Sequence, residues 1–312
     1  MQWEKLGLIF TPDKQLNWSK THAQVPTVDV LSDKVWRIYY CARDVSNQSR
    51  ISYFDVEAGN PRNVLYRHGT AILQLGKLGT FDDAGMMPSS IVTVMGVKYL
   101  YYTGWSERKS VPYQNAIGLA ISRDGGNTYD RAGEGPVLGT SLHDPYFIGT
   151  ATVIHEKGLW RNWYSACTGW EMIDGKAEPR YHLKYAESQD GIEWLRNGKV
   201  VIDYKDANEG GIVRASLVRD GDGYIMWYSR RDAKGYRSER QHSYRIGYAE
   251  SSDGVSWNRM DEHSGIDVSD YGWDSDMIAY PYVVQTDKFF FLFYNGNGFG
   301  QSGIGVANIH RA

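Results

Sequence analysis

The sequence predicts an all-β fold, a five-bladed β-propeller built from four-stranded antiparallel blades, on three observations. An aromatic run closing on tyrosine recurs five times, as VWRIYY, VKYLYY, LWRNWY, YIMWY and FFLFY. The closing residues Tyr40, Tyr102, Tyr164, Tyr228 and Tyr294 follow one another at steps of 62, 62, 64 and 66 residues. Fourteen positions before them stand Pro26, Pro88, Thr150, Arg214 and Tyr280, each inside a short apolar stretch. Four-strand units repeated at this length fit the blades of a propeller.

Each unit reads as four strands in order. The apolar stretch is the inner strand. The tyrosine-closed run is the second, its aromatic and β-branched content suited to a pleated, packed surface. The third is a Gly-Ala strand: Ile117–Gly125 reads IGLAISRDG, and it recurs as LKYAESQDG ending at Gly191, IGYAESSDG ending at Gly254 and a shortened IGVAN ending at Asn308. Asp-Gly between two strand-like runs is a hairpin signal, so Asp124, Asp190 and Asp253 belong to turns. The outer strand follows an aromatic at a fixed offset, Tyr129, Trp194 or Trp257. The fifth unit stops after its third strand, near His310. The N-terminal stretch Trp3–Phe10 resembles the outer-strand starts and would complete that blade, closing the ring and hiding two sheet edges. Residues 1–312 then form a single domain. The competing reading is a β-sandwich with accidental repetition. No helix of useful length is signalled, because Gly and Asp-Gly turns interrupt every longer run.

Totals narrow the function. The chain has 312 residues and a net charge of −3, which leaves no basic footprint for nucleic acid. No apolar run approaches a membrane span. The start Met1-Gln2-Trp3-Glu4-Lys5 lacks the apolar core of a secretory signal, so a cytoplasmic protein is expected. Cys41 and Cys167 close aromatic strands in different repeats and read as buried, reduced thiols. No cofactor is indicated. No His/Cys cluster has metal-ligand spacing, although an acidic channel is compatible with Ca²⁺.

Ring closure would gather residues far apart in the chain. Inner strands begin at one end of the axis, and aromatic strands, running antiparallel, end at the same rim. The first set brings His22, Asp83, His143, Asp144, Glu209 and Asp276; the second brings Arg43, Trp105, Trp170 and Arg230, with Arg214 on an inner strand. Carboxylates crowded in a partly dry funnel repel one another, and some are expected to titrate high. A protonated acid beside an ionised partner suits cleavage of a glycosidic bond, and rim tryptophans suit the apolar faces of sugar rings. Taken singly, each residue has a plainer reading. Asp144 before Pro145 is a common turn residue, Glu209 before two glycines suits a solvated turn, and Trp105 and Trp170 suit packing between blades. Arg214 suits ion pairing or the orientation of Glu209, and His22 suits a structural role as well as proton transfer.

The chain resembles the five-bladed propeller glycosidases, the family-43 arabinanases and xylosidases with the related invertases and levansucrases, on two segments. His143-Asp144-Pro145-Tyr146-Phe147 is similar to their Asp-Pro-x-x-Phe segment, and Glu209-Gly210-Gly211 to their Glu-Gly-Pro segment. The resemblance implies that Glu209 is the proton donor and Asp144 the residue that tunes it and grips a sugar hydroxyl. It also implies a carbohydrate substrate. The chain departs from that family in its first repeat, where Ser19-Lys20-Thr21-His22-Ala23-Gln24 holds no carboxylate. Either Asp83, Asp276 or His22 replaces it, or the usual hydrolysis gives way to glycosyl transfer, phosphorolysis or sugar binding without turnover.

Overall fold

The computed structural model describes residues 2–311, and strands dominate it. In chain order, β1 (Glu4–Phe10) precedes a first set, β2 (Thr21–Val30), β3 (Val35–Arg43), β4 (Ser49–Glu57) and β5 (Asn60–Arg67). The second set is β6 (Gly85–Val94), β7 (Val97–Glu107), β8 (Tyr113–Ser122) and β9 (Asp130–Arg131). The third is β10 (Ile148–Glu156), β11 (Leu159–Ile173), β12 (Lys176–Ser188) and β13 (Val200–Ile202). The fourth is β14 (Glu209–Asp220), β15 (Gly223–Asp232), β16 (Arg245–Ser251) and β17 (Asn258–Arg259). The last three strands are β18 (Ala279–Gln285), β19 (Phe289–Asn295) and β20 (Ile304–His310). Within every set, chain neighbours pair antiparallel. As the sequence predicts, β1 pairs antiparallel with β20 and supplies the fourth strand of the last set. Single parallel bridges, Ser49 to Gly85 and Tyr181 to Gly211, join the first set to the second and the third to the fourth.

The aromatic strands explain the packing. Successive side chains of a strand point to opposite faces. Each sheet therefore sends one aromatic to each side. Tyr40 packs toward Phe291 and Phe293 of the last set, while Tyr39 packs toward Met86 and Leu100 of the second. Tyr102 and Tyr101, Tyr164 and Trp163, Tyr228 and Trp227, and Tyr294 and Phe293 divide in the same way between the two neighbours of their own sheet. Among the described residues the apolar core is thus five layers between sets, with a sixth cluster around Phe147, Tyr181 and Tyr244, and the layer of Trp36 with Phe291 joins the first set to the last.

Turns lock neighbouring sets together. In each Asp-Gly turn the preceding serine accepts from backbone and donates to the aspartate, as Ser188 does to Asp190 at 2.9 Å. Gly191 has a φ of 76° and lies so close to Tyr101 and Trp160 that a Cβ would stand 2.7 Å from the Tyr101 hydroxyl. That hydroxyl donates to the Gly191 carbonyl at 2.7 Å. Trp163 makes the equivalent bond to Gly254 at 2.7 Å. Asp124, Asp190 and Asp253 are turn residues, as expected. Both cysteines are free and buried, and burial pushes each thiol up to about 12.

All five innermost strands break register around the position fourteen residues before the tyrosine. The breaks fall between Gln24 and Thr27, Pro88 and Ser90, Ile148 and Ala151, Val213 and Ser216, and Ala279 and Tyr282. Such bulges re-aim side chains. At Val25, Arg214 and Tyr280 they hold non-glycine residues at φ between 55° and 58°.

Candidate functional site

The bulged inner strands surround a cavity of about 370 Å³, to which all five sets contribute. Trp105, at the end of β7, forms part of its wall and donates Nε1–H to Ser49 Oγ at 2.9 Å. Gly85 permits that position, since a Cβ there would stand 2.2 Å from the indole nitrogen. Arg43, at the end of β3, donates to Gln24 Oε1 at 3.0 Å and to Asn47 Oδ1 at 2.8 Å. His22 accompanies it, its Nδ1 2.9 Å from Thr21 Oγ1. Burial, and then the Arg43 charge, push the His22 imidazole down to about 4, so the ring is neutral at neutral pH. His22, Arg43 and Trp105 are therefore brought together as the sequence expects.

The carboxylates are not there. No Asp or Glu lines this cavity among the described residues. The sequence places Glu209 and Asp144 side by side in the funnel; the structure corrects both. Asp144 is fully buried inside its own sheet, accepting from Tyr164 at 3.2 Å, Lys184 at 3.0 Å and Arg196 at 3.1 Å. Glu209 is 1% exposed and held by both arms of Arg259, at 2.6 and 2.7 Å, with the Lys205 amide donating at 3.0 Å. A residue at the head of an inner strand can turn toward the axis or back into its sheet. Here Tyr164, Lys184 and Arg196 draw Asp144 into the sheet, and Arg259 draws Glu209. Because the acids face cations rather than one another, the mutual repulsion expected of them is absent.

The remaining expectations divide. Asp83 caps a turn, accepting from the Gly79 amide at 2.9 Å. His143 is exposed; its carbonyl accepts from Lys184 at 2.7 Å and its amide donates to Ser141 Oγ at 3.2 Å. Arg230 pairs with Asp261 at 3.2 Å, away from the axis. Asp276 is exposed in a neighbouring depression of about 590 Å³, which shares Tyr236, Arg237 and Phe299 with the axial cavity. Trp170 packs behind the wall, edge-on to Tyr113 at 5.3 Å and tilted against Phe147 at 5.6 Å. Arg214 lies one residue beneath the floor: its neighbour Val213 lines the cavity, and its own amide donates to Thr150 Oγ1, another lining residue, at 3.1 Å. Its guanidinium donates to the carbonyls of Ser89 and of Pro26, the latter at 2.8 Å, and to Thr27 Oγ1 at 2.7 Å, tying three sets together. It neither pairs with nor orients Glu209. Among the described residues no group of three His, Cys, Asp or Glu is placed to hold a metal ion.

Sequence reasoning missed most of the lining. Tyr113, Tyr181, Tyr236, Tyr244, Asn115 and Arg237 face the cavity. Burial pushes the Tyr113 and Tyr280 hydroxyls up, so both stand as protonated hydroxyls able to donate and accept. Asn115 is 9% exposed, and its Oδ1 is buried without a partner. Tyr236 and Arg237 come from the polar stretch between β15 and β16, which has no counterpart in the other repeats. The longest step between closing tyrosines, 66 residues, spans that insertion and is the signal that marks it.

No family model matches the chain. Two curated relatives from Mycobacterium tuberculosis match nearly all of it. They are the uncharacterized protein Rv1502 of strain ATCC 25618 / H37Rv and the uncharacterized protein MT1551 of strain CDC 1551 / Oshkosh. Each is 37% identical over 307 residues, covering 98% of this chain and 99% of the relative. Among solved structures, a glycoside hydrolase superposes with a TM-score of 0.73 at 20% identity, covering 99% of this chain and 93% of that one. A glycosyl hydrolase from Bacteroides ovatus superposes at 0.71 and 15%, covering 98% and 93%. A thermostable family-43 glycoside hydrolase superposes at 0.67 and 15%, covering 93% and 89%. At those identities the likeness is one of fold. By its relatives, the chain belongs to the family of Rv1502 and MT1551, and its fold is that of glycoside hydrolases.

Proposed function

We propose that this protein is a single-domain, five-bladed β-propeller of carbohydrate-active type that seats a saccharide in its axial cavity. Five four-stranded sets and an apolar layer between each neighbouring pair, one of them between first and last, support the blade count. The observation that carries the ligand class is the lining itself: an indole, several phenols, and an amide oxygen on Asn115 that is buried and unpaired. A sugar ring offers an apolar face to the aromatic wall and a hydroxyl to each polar atom. An unmet buried acceptor costs about 1–3 kcal/mol, which a ligand hydroxyl would recover. The fold shared with glycoside hydrolases supports the same class.

The acid–base pair of Glu209 and Asp144 takes no part in this reading, because neither reaches the cavity. A second reading, turnover of a glycosidic bond, is favoured by one observation. His22 is neutral at neutral pH and lines the cavity, so it can accept a hydrogen bond from a sugar hydroxyl or a water and act on it as a weak base. Calorimetry on a glycan panel, run alongside product analysis, tests both. Saturable binding, weakened roughly two- to tenfold by Trp105→Ala, is expected. Product that disappears in His22→Gln while binding persists establishes turnover. A panel that yields no binding ends the carbohydrate reading.

A further inference from the structure

Resting on that reading, we infer that the saccharide is anionic, carrying a carboxylate or a phosphate that seats on Arg43. The cavity and its immediate shell hold four guanidinium groups and are lined by no carboxylate among the described residues. One of the four is balanced: Arg237 is gripped by Glu178 at 2.9 and 3.1 Å. The other three are not. Arg43 forms no ion pair among the described residues; its bonds go to the neutral amides of Gln24 and Asn47. Arg214, fully buried under the floor, has only carbonyls and a hydroxyl as partners, and its Nε has none. Arg231, 2% exposed, donates to the Tyr181 hydroxyl at 2.9 Å and to the carbonyls of Pro179 and Asp232 at 2.6 and 2.7 Å. Its guanidinium lies 3.7 Å over the Tyr236 ring.

Three uncompensated cations around a partly dry cavity set a positive potential there, weakly screened by protein of low polarisability. A neutral sugar leaves that potential in place. An anionic group bound at the centre offsets it and makes charge-assisted hydrogen bonds with Arg43, the one of the three that lines the cavity. His22 in the same cavity is made less basic chiefly by burial and then by the Arg43 charge. Arg214 and Arg231 act through the field alone, since their donors are spent on carbonyls and hydroxyls.

The test is calorimetry on the intact chain with glucose, glucuronate, glucose 6-phosphate and inorganic phosphate, at low and high sodium chloride. Either anionic sugar is expected to bind roughly tenfold or more tighter than glucose, with the advantage falling as salt rises. Whichever of the two binds tighter distinguishes a carboxylate from a phosphate ligand. Arg43→Gln is expected to remove most of the preference, with the melting temperature recorded to show that it folds. Should that variant not fold, the wild-type preference and its salt dependence decide. Equal affinity for glucose and the anionic sugars, or a preference undiminished in Arg43→Gln, overturns this inference and leaves the carbohydrate reading standing. Phosphate that binds where no sugar does supports the anion seat and overturns the carbohydrate reading. No binding by any probe overturns both.

Discussion

Tyr164 donates its hydroxyl to Asp144 at 3.2 Å, and the same bond joins Tyr102 to Asp82 and Tyr294 to Asp274, both at 3.0 Å. In all three the acid precedes the tyrosine by 20 residues. Each acid also meets a cation of the outer strand or the segment before it: Arg131 for Asp82, Arg196 for Asp144, Lys5 for Asp274. The fourth set varies the theme. Tyr228 turns to Asp261, and Arg259 bridges Asp261 and Glu209. The first set has Ser19 near the corresponding position, fully buried with its hydroxyl unpaired. Its missing carboxylate is therefore a missing latch, and nothing in the cavity is left vacant by it.

Breaking a latch should cost stability and spare ligand binding. Asp144→Asn strands Lys184 and Arg196 without their carboxylate, and removal of one partner from a buried pair costs about 3–5 kcal/mol. Urea denaturation should report that loss. Glu209→Gln should behave alike through Arg259. Sugar affinity of the folded fraction should stay at the wild-type value. A variant of either residue with full stability and no turnover would return the acids to the chemistry.

The N-terminal strand should be indispensable. Lys5 reaches Asp274 at 2.7 Å and Ser269 at 2.9 Å, and β1 covers the edge of β20. Deleting residues 1–10 uncovers that edge and the apolar surface under Trp3 and Phe10. The expected outcome is aggregation or a large fall in melting temperature. Lys5→Met should do less than Asp144→Asn, because Lys5 keeps some exposure to water.

Acid should weaken the fold through His22. Its folded value, about 4, lies below the ordinary 6.5, so the unfolded chain binds the proton more readily. The neutral ring carries no penalty above pH 6.5. As pH falls from 6.5 toward 4, the unfolded state gains protons that the folded state refuses, and stability declines; below about 4 this contribution levels off. His22→Gln should flatten that part of a stability-against-pH curve measured by urea denaturation. His182, also lowered chiefly by burial, contributes with the same sign and keeps the flattening incomplete. An unchanged curve in His22→Gln would show that the ring is not the group responsible.

Arg214 should hold three strand sets together beneath the cavity. Arg214→Met leaves the Ser89 and Pro26 carbonyls without their donor, at about 1–3 kcal/mol for each unmet acceptor. Part of this is offset, because a buried guanidinium without a counter-ion is itself costly; burial pushes Arg214 down to about 10. A net loss of roughly 1–4 kcal/mol in denaturant unfolding is expected. A stabilised variant would mean that desolvation of the charge outweighs its bonds.

The architecture was legible because its cause is local and repeated. Aromatic runs at a near-constant step, Gly-Ala strands and Asp-Gly turns each carry their own conformational preference, and five copies of the aromatic run make the pattern unmistakable. The outer-strand likeness of the N-terminus was legible too, and it held more than was taken from it. Tyr129-Asp130-Arg131, Trp194-Leu195-Arg196, Trp257-Asn258-Arg259 and Trp3-Glu4-Lys5 share an aromatic-x-cation pattern, and its cations are the latches' partners.

By itself the sequence determined the strands, their order and the turns between them, and it offered candidate residues where those strands begin and end. Only the tertiary structure decided which of those residues face the cavity. A short acidic side chain at the head of an inner strand has two directions open to it, and spacing along the chain is the same for both. The choice falls to partners about 20 to 50 residues away, Tyr164 and Arg196 for Asp144 and Arg259 for Glu209. Those contacts exist only once the sheet has formed, and they turn the acids inward and leave a cavity of arginine, histidine and phenols.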